Sequence, residues 1–251
     1  MKRHHLLLIH GFPHDSTLWE RQVVPLGEEA NVIAPDLRGF GAGNDQYVPE
    51  VMSMTEYAHD LKQLLDQKFV ERAVICGISM GGYVALSFLD LFPERVKALI
   101  LCNTKATGDD EEAKRKRYEV AEKAFKPGMP LITRELLPKL ISQEASKNDP
   151  EVVRLLEYMM LKQRPDAVAA AARGMAKRPD RTELLKKMDL PTLIITGDED
   201  AIMDLSTSEQ MHENIKGSEL EVIQGAGHLS NIEKPERFNE VVLNFLRKIP
   251  D

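Results

Sequence analysis

The sequence predicts an α/β fold: a mostly parallel, doubly wound sheet of about six strands with an inserted helical cap. Short apolar runs rich in β-branched residues alternate with longer amphipathic stretches, the pattern of strands buried on both faces between covering helices. That rhythm lapses across residues 105–189, where no strand pattern occurs and helix signals follow one another. The residues that look reactive fall just after the apolar runs, at what would be the carboxyl ends of parallel strands.

Taken in order, the first strand is Leu6 to Ile9, which runs into His10-Gly11-Phe12-Pro13. A helical pattern from Trp19 to Glu29 leads to a second strand, Val32 to Ala34. The loop Asp36-Leu37-Arg38-Gly39-Phe40-Gly41 that follows is read as an ion-paired or hydrogen-bonded scaffold. Met54 to Lys68 is the next helix. The third strand, Ala73 to Cys76, leads through Gly77-Ile78-Ser79-Met80-Gly81 into a helix over Gly82 to Leu91, and the fourth strand is Ala98 to Cys102.

Prolines at 127, 130, 138, 150, 165 and 179 then divide the helical stretch into short pieces. Asp149 suits an N-cap, with Pro150 at the first helical position, and another helix runs from Asp166 through Ala169 to Ala172. Leu193 to Thr196 and Leu220 to Ile223 supply strands five and six, with helices over Ser206 to Ile215 and Pro235 to Arg247. Residues 1–104 and 190–251 would form the core, and 105–189 a lid over the sheet edge. There is no internal repeat, low-complexity tract or linker.

Composition narrows the function. The 251 residues carry 33 basic and 40 acidic side chains, a net charge of −7, and no basic stripe suits a phosphate backbone, so no nucleic-acid partner is expected. The one basic run, Lys114 to Arg117, follows Asp109 to Glu112 and reads as a single solvated helix with acids in its first turn. Two cysteines, Cys76 and Cys102, end predicted strands and suit free thiols in a reducing compartment, hence a cytoplasmic location. The apolar run after Met1-Lys2-Arg3-His4-His5 is too short for a signal segment or a membrane span. No metal and no organic cofactor are implied, and oligomeric state is left open.

The G-x-S-x-G sequence at 77–81 is weak alone, since glycine-serine turns commonly join strand to helix. Its placement strengthens it: a strand that turns sharply into a helix there holds the serine in a strained conformation with Oγ raised over the sheet edge. A serine hydroxyl needs a base. Of seven histidines, His228 lies on the glycine loop Gln224-Gly225-Ala226-Gly227-His228 just beyond the last strand. His4 and His5 are terminal, His59 and His212 sit on amphipathic helices, and His14 is a weaker rival on an N-terminal loop. The acid that orients the imidazole is sought in Gly197-Asp198-Glu199-Asp200; Asp200 is the choice and Asp198 the rival. Gly11 allows the chain to turn so that the Phe12 amide, with the Met80 amide at the helix start, can hold an oxyanion. His10 reads as structural.

The order Ser79, Asp200, His228, together with the His10-Gly11, Asp36 to Gly41, Gly77 to Gly82 and Gly225 to His228 motifs, resembles the α/β-hydrolase superfamily along nearly the whole chain. Ile78 to Tyr83, Leu99 to Thr104 and Arg178-Pro179-Asp180-Arg181 look like the 3-oxoadipate enol-lactonase and small carboxylesterase branch. The resemblance implies a triad of Ser79, Asp200 and His228, with oxyanion donors Phe12 and Met80. It also implies a small ester or lactone as the partner. Two departures stand out: only about five residues precede the His-Gly strand, so the family's N-terminal hairpin is missing, and Ile202-Met203-Asp204 replaces the usual Thr-Pro after the acid. A C–C bond hydrolase or cofactor-free perhydrolase on the same triad is an alternative, although Ile78 stands where the former often carry Asn. A ligand-binding receptor on the same scaffold is another. Ser79 counts against dehalogenases and epoxide hydrolases, which need an aspartate nucleophile. In the lid, Met129, Leu156, Met159 and Met160 are candidate pocket walls, and Met203 could line the pocket from the core.

Overall fold

In the computed structural model, which describes residues 4–41 and 45–250, six strands form one sheet in which every pairing is parallel. They are β1 (His4–Ile9), β2 (Ala30–Ile33), β3 (Ala73–Ile78), β4 (Val96–Cys102), β5 (Thr192–Gly197) and β6 (Glu219–Ile223). The spatial order is β2-β1-β3-β4-β5-β6. The chain direction across the sheet therefore reverses at β1 and β3, the switch point where open α/β sheets carry their sites. The basic start Met1–Arg3 lies outside the described residues.

The four inner strands bury both faces, and their side chains divide by parity. Leu7, Ile9, Ile75, Leu99, Leu101 and Ile194 face one core, which α2 (Met54–Gln67) and α3 (Met80–Leu91) cover. Leu6, Leu8, Val74, Cys76, Ile100 and Ile195 face the other, which α12 (Pro235–Lys248) covers with Phe238, Val242 and Phe245. The edge strands depart from the expectation of full burial: β2 and β6 are only partly buried along most of their length. An outer strand has a neighbour on one side only, and Glu219 and Glu221 in β6 point to solvent, where they pair with Lys248 and Arg237.

Local signals set the helix starts. Ser53 and Glu56 form a reciprocal capping box on α2, with Glu56 N donating to Ser53 Oγ at 3.1 Å and Ser53 N to Glu56 Oε2 at 2.8 Å. The short α1 (Glu20–Leu26) ends earlier than the periodicity predicts, with Pro25 in its last turn and Gly27 closing it.

Between β4 and β5 lie only helices: α4 (Glu111–Phe125), α5 (Met129–Leu140), α6 (Gln143–Asn148), α7 (Pro150–Leu161), α8 (Pro165–Ala176) and α9 (Thr182–Leu185). Asp149 caps α7 through Val152 N at 3.0 Å, with Pro150 opening the helix. The alanines of α8 are all buried, and Gly174 lets it lie against the Met52 carbonyl, which a Cβ there would strike at 1.8 Å. The acidic–basic run at 109–117 is not simply a solvated face. Asp109 is buried and accepts from Arg178 Nη2 at 2.7 Å and Arg117 Nε at 3.2 Å, tying α4 to the segment after α8. Two further α-helices, α10 (Leu205–Asn214) and α11 (Ser230–Glu233), and two short 3-10 turns, Ser16–Trp19 and Pro93–Arg95, complete the described fold. No helix among the described residues is long and apolar enough to cross a membrane.

Candidate active site

Ser79 stands between β3 and α3 with φ 54° and ψ −116°, a left-handed conformation that is costly for any residue with a side chain. The surroundings enforce it. A Cβ on Gly77 would meet the Gly81 carbonyl at 2.2 Å, and one on Gly81 would meet the Ile9 carbonyl at 2.2 Å, so the turn closes only around two glycines. Backbone bonds hold the serine in place. Its N–H donates to the Cys102 carbonyl at 2.9 Å, while its carbonyl accepts from Gly82 N at 2.9 Å and Thr104 Oγ1 at 2.8 Å.

His228 is buried on the loop after β6, and its Nδ1 donates to both oxygens of Asp200, at 2.8 Å and 3.0 Å. This bond fixes the tautomer and leaves Nε2 as the nitrogen that can take a proton. Asp200 is itself 7% exposed and held from three further directions. Its Oδ1 accepts from Ile202 N at 2.8 Å and Met203 N at 2.9 Å, and its Oδ2 accepts from Asn103 Nδ2 at 2.9 Å. Burial pushes the carboxyl group up, but His228 and these donors outweigh it and hold Asp200 below the ordinary carboxylate value.

Asp198, the rival acid, points elsewhere. Its Oδ1 accepts from Gly225 N at 2.7 Å and Ala226 N at 3.4 Å, so it shapes the turn that leads into His228 without touching the imidazole. His14, the rival base, is fully buried and does not line the cavity at Ser79. Burial, with smaller contributions from neighbouring His10 and His228, lowers it to about 3. His10 has the structural position expected of it: Nδ1 donates to the Gly11 carbonyl at 2.9 Å and Nε2 accepts from Leu37 N at 3.0 Å.

Asn103, which follows β4 immediately, was not among the candidates. It adopts φ 45°, donates to Asp200 and to the Gly227 carbonyl (3.3 Å), and accepts from Ser230 Oγ at 2.8 Å. A buried chain Ser230–Asn103–Asp200–His228 results. The available signal was an asparagine at the carboxyl end of a central strand, a type that tolerates left-handed backbone.

Ser79, His228 and Phe12 share a cavity of about 150 Å³. From the core, Ile202 and Met203 add to its wall; from the helical segment come Val120, Ile132, Leu136, Leu140 and Met175, with Arg117, Glu135 and Lys139 also at its boundary. Met203 thus lines it as expected. Met129, Leu156, Met159 and Met160 do not: Met129 packs in the core on the α2–α3 side, and the other three in the core on the α12 side. The amides of Phe12 and Met80 have no hydrogen-bond acceptor among the described residues, and Met80 is the first residue of α3, where the helix dipole favours negative charge. No group of three His, Cys, Asp or Glu among the described residues is placed to hold a metal ion.

Known proteins resemble this chain in sequence and fold. The chain is 29% identical over 228 residues to 3-oxoadipate enol-lactonase 2 of Acinetobacter baylyi, covering 90% of this chain and 82% of that protein. A solved thermophilic esterase from Thermogutta terrifontis, with malate bound, is 42% identical and superposes with a TM-score of 0.94 over 97% of this chain and 89% of its own. A hydrolase from Pseudomonas aeruginosa PA01 is 27% identical, with a TM-score of 0.88 over 98% of this chain and 91% of its own. The family described as alpha/beta hydrolase fold matches residues 4–235, and the chain belongs to it.

Proposed function

We propose that this protein is a serine hydrolase that cleaves small carboxylic esters or lactones through an acyl-enzyme. The observation that carries the reading is the imidazole of His228, fixed by Asp200 at 2.8 Å, in one small cavity with a serine on a strained strand-to-helix turn. Ser79 Oγ attacks the substrate carbonyl as His228 Nε2 removes its proton, and Asp200 stabilises the imidazolium that forms. The negative charge on the carbonyl oxygen is received by the Phe12 and Met80 amides. Collapse expels the alcohol, or opens the lactone ring, with the proton returned by His228. Water then takes the serine's part, and the acid leaves.

Residues 105–189 serve as a cap that walls the acyl site and excludes water, while the attacking and proton-carrying groups all come from the core. The kinship to an esterase and an enol-lactonase supports an ester or lactone as substrate. The thiols of Cys76 and Cys102, free and 3.9 Å apart in the core, support a reducing, cytoplasmic setting.

The reading is tested with p-nitrophenyl esters and a fluorophosphonate probe. Wild type is expected to turn over the esters and to be labelled at Ser79, whereas Ser79→Ala remains folded, unlabelled and inactive. Labelling at another residue, or undiminished turnover by Ser79→Ala, would overturn the assignment. A folded wild type that is neither labelled nor active would favour a ligand-binding role on the same scaffold.

A further inference from the structure

We infer that Glu233 is a positioning residue: its carboxylate latches the helical segment to the histidine loop, so that one side chain sets both the base and the pocket wall. Glu233 ends α11, five residues after His228. Its Oε1 accepts from Gly227 N at 2.8 Å and its Oε2 from Ser142 N at 2.8 Å. Gly227 directly precedes His228. Ser142 opens α6 and stands two residues after Leu140, which lines the cavity. Each carboxylate oxygen thus holds a different part of the chain.

A second tie lies on the other side of the histidine. Leu229 N donates to the Leu140 carbonyl at 3.0 Å. His228 is therefore flanked by two residues whose amides are both fixed at the α5–α6 junction, one directly and one through Glu233. The two segments touch with no side chain between them: a Cβ on Gly227 would come within 2.6 Å of Ser142 N and 2.7 Å of the Ile141 carbonyl carbon. A shift of residues 140–142 must move the histidine loop, and the reverse holds equally.

The chemistry suits a carboxylate in particular. Its two bonds at 2.8 Å both come from backbone N–H groups, with a weaker contribution from the Ser142 hydroxyl, and a charged acceptor makes the shorter, stronger bond to each. A glutamine of the same shape offers one oxygen and one NH2 group, so it can satisfy only one of the two amides. Burial holds the Glu233 carboxyl above the ordinary value despite these bonds. A half-buried acid whose two oxygens hold two different loops points to a job beyond filling space.

The inference rests on the proposed roles of Ser79 and His228, and its test includes a measurement independent of them. Glu233→Gln removes the latch at its centre. Ser142→Pro removes it at the far end, because proline has no N–H and Ser142 already has φ −59°. Ser142→Ala keeps the amide while removing the Oγ, which caps α6 by accepting from Ala145 N at 3.1 Å and interacts weakly with Glu233, and so serves as the control that separates the hydroxyl from the amide.

Hydrogen exchange is followed across 140–145 and 225–229, together with kcat and KM on p-nitrophenyl acetate and hexanoate. Glu233→Gln and Ser142→Pro are each expected to speed exchange in both segments together and to lower kcat by about ten-fold or more. The hexanoate-to-acetate ratio of kcat/KM should change as the Leu140 wall moves, while Ser142→Ala stays within about two-fold of wild type on all counts. Should Glu233→Gln fail to fold, Ser142→Pro reads the same bond. Unchanged exchange in the 225–229 segment of a folded variant would overturn the latch, whatever the activity. A lowered melting temperature with kcat and the ester ratio within about two-fold of wild type would reduce Glu233 to a structural residue. An inactive, unlabelled wild type would instead defeat the hydrolase reading and leave exchange to decide the latch.

Discussion

Replacing Asn103 by alanine isolates the support behind Asp200. The change removes the 2.9 Å bond to Asp200 Oδ2 and the 3.3 Å bond to the Gly227 carbonyl, and it strips Ser230 Oγ of its acceptor. A hydrogen bond to a charged group contributes about 1.5–3 kcal/mol, so the lost Asp200 bond alone corresponds to roughly a 10- to 100-fold factor if all of it acts in the transition state. Asp200 keeps His228 and the amides of Ile202 and Met203, so the lower end is expected: kcat/KM down about ten-fold. Stability falls separately. The backbone at 103 has φ 45°, which costs alanine about 1–2 kcal/mol relative to residues that tolerate it. With the buried bonds included, the loss is about 3 kcal/mol, or roughly 6–12 °C in Tm for a chain of this size. Asn103→Gly separates the two effects, since glycine accepts positive φ without steric cost. It should recover part of the Tm but none of the activity. The assay is p-nitrophenyl butyrate hydrolysis at 25 °C beside thermal melts. If Asn103→Gly regained wild-type kcat/KM, backbone strain and not the bond to Asp200 would be what matters, and the reasoning would fail.

Asp200→Asn should lower kcat far more than Asp198→Asn, because only Asp200 touches the imidazole; the reverse order would move the acid to Asp198. Asp109 bears on acid stability: burial pushes its carboxyl up, yet Arg178 and Arg117 bring it down to about 2. A folded value below the unfolded one, near 3.9, stabilises above that pH and fades as pH falls from about 4 to 2. Asp109→Asn should thus be less stable at pH 7 by about 2 kcal/mol and show a flatter Tm profile between pH 4 and 2; equal acid slopes in the two proteins would refute it. At the cavity boundary Glu135 is paired with Lys123 and Arg117 with Asp109, so Lys139 is the charge there without an ion pair among the described residues. Lys139→Ala is expected to raise KM for a monoester of a dicarboxylic acid by about five-fold, the worth of one charge contact in water, with neutral esters unaffected. Equal effects on both would show that the lysine acts through packing.

What could be read from the sequence was whatever local chemistry decides. The turn at 77–81 is legible because no residue but glycine fits within 2.2 Å of a carbonyl, a fact of sterics that the rest of the fold does not change. The inner strands are legible because burial on both faces requires continuous apolar runs. The edge strands were overread for the complementary reason. Val32 and Leu220 look like interior residues, and only the missing neighbour beyond β2 and β6 makes them partly exposed.

The same divide runs through the site. His228 stands out by its place after the last strand, whereas the choice between Asp198 and Asp200 could not be closed from one loop. What holds Asp200 against His228 comes from elsewhere in the chain: Asn103 at the end of β4, and the amides of Ile202 and Met203 beyond the turn. The pocket wall was the least legible part. Leu156, Met159 and Met160 form an apolar stripe on α7 that fits a lid lining as well as it fits a core. Which stripe meets the cavity depends on how each helix is rotated and on how closely α8 can approach α4, and nothing local fixes either. Here the six buried alanines of α8 permit the approach, Met175 from that helix and Val120 from α4 reach the cavity, and the α7 stripe is spent on the opposite face of the sheet. The helices of 105–189 are predictable one by one, but the shape of the cavity they wall is set by packing between them.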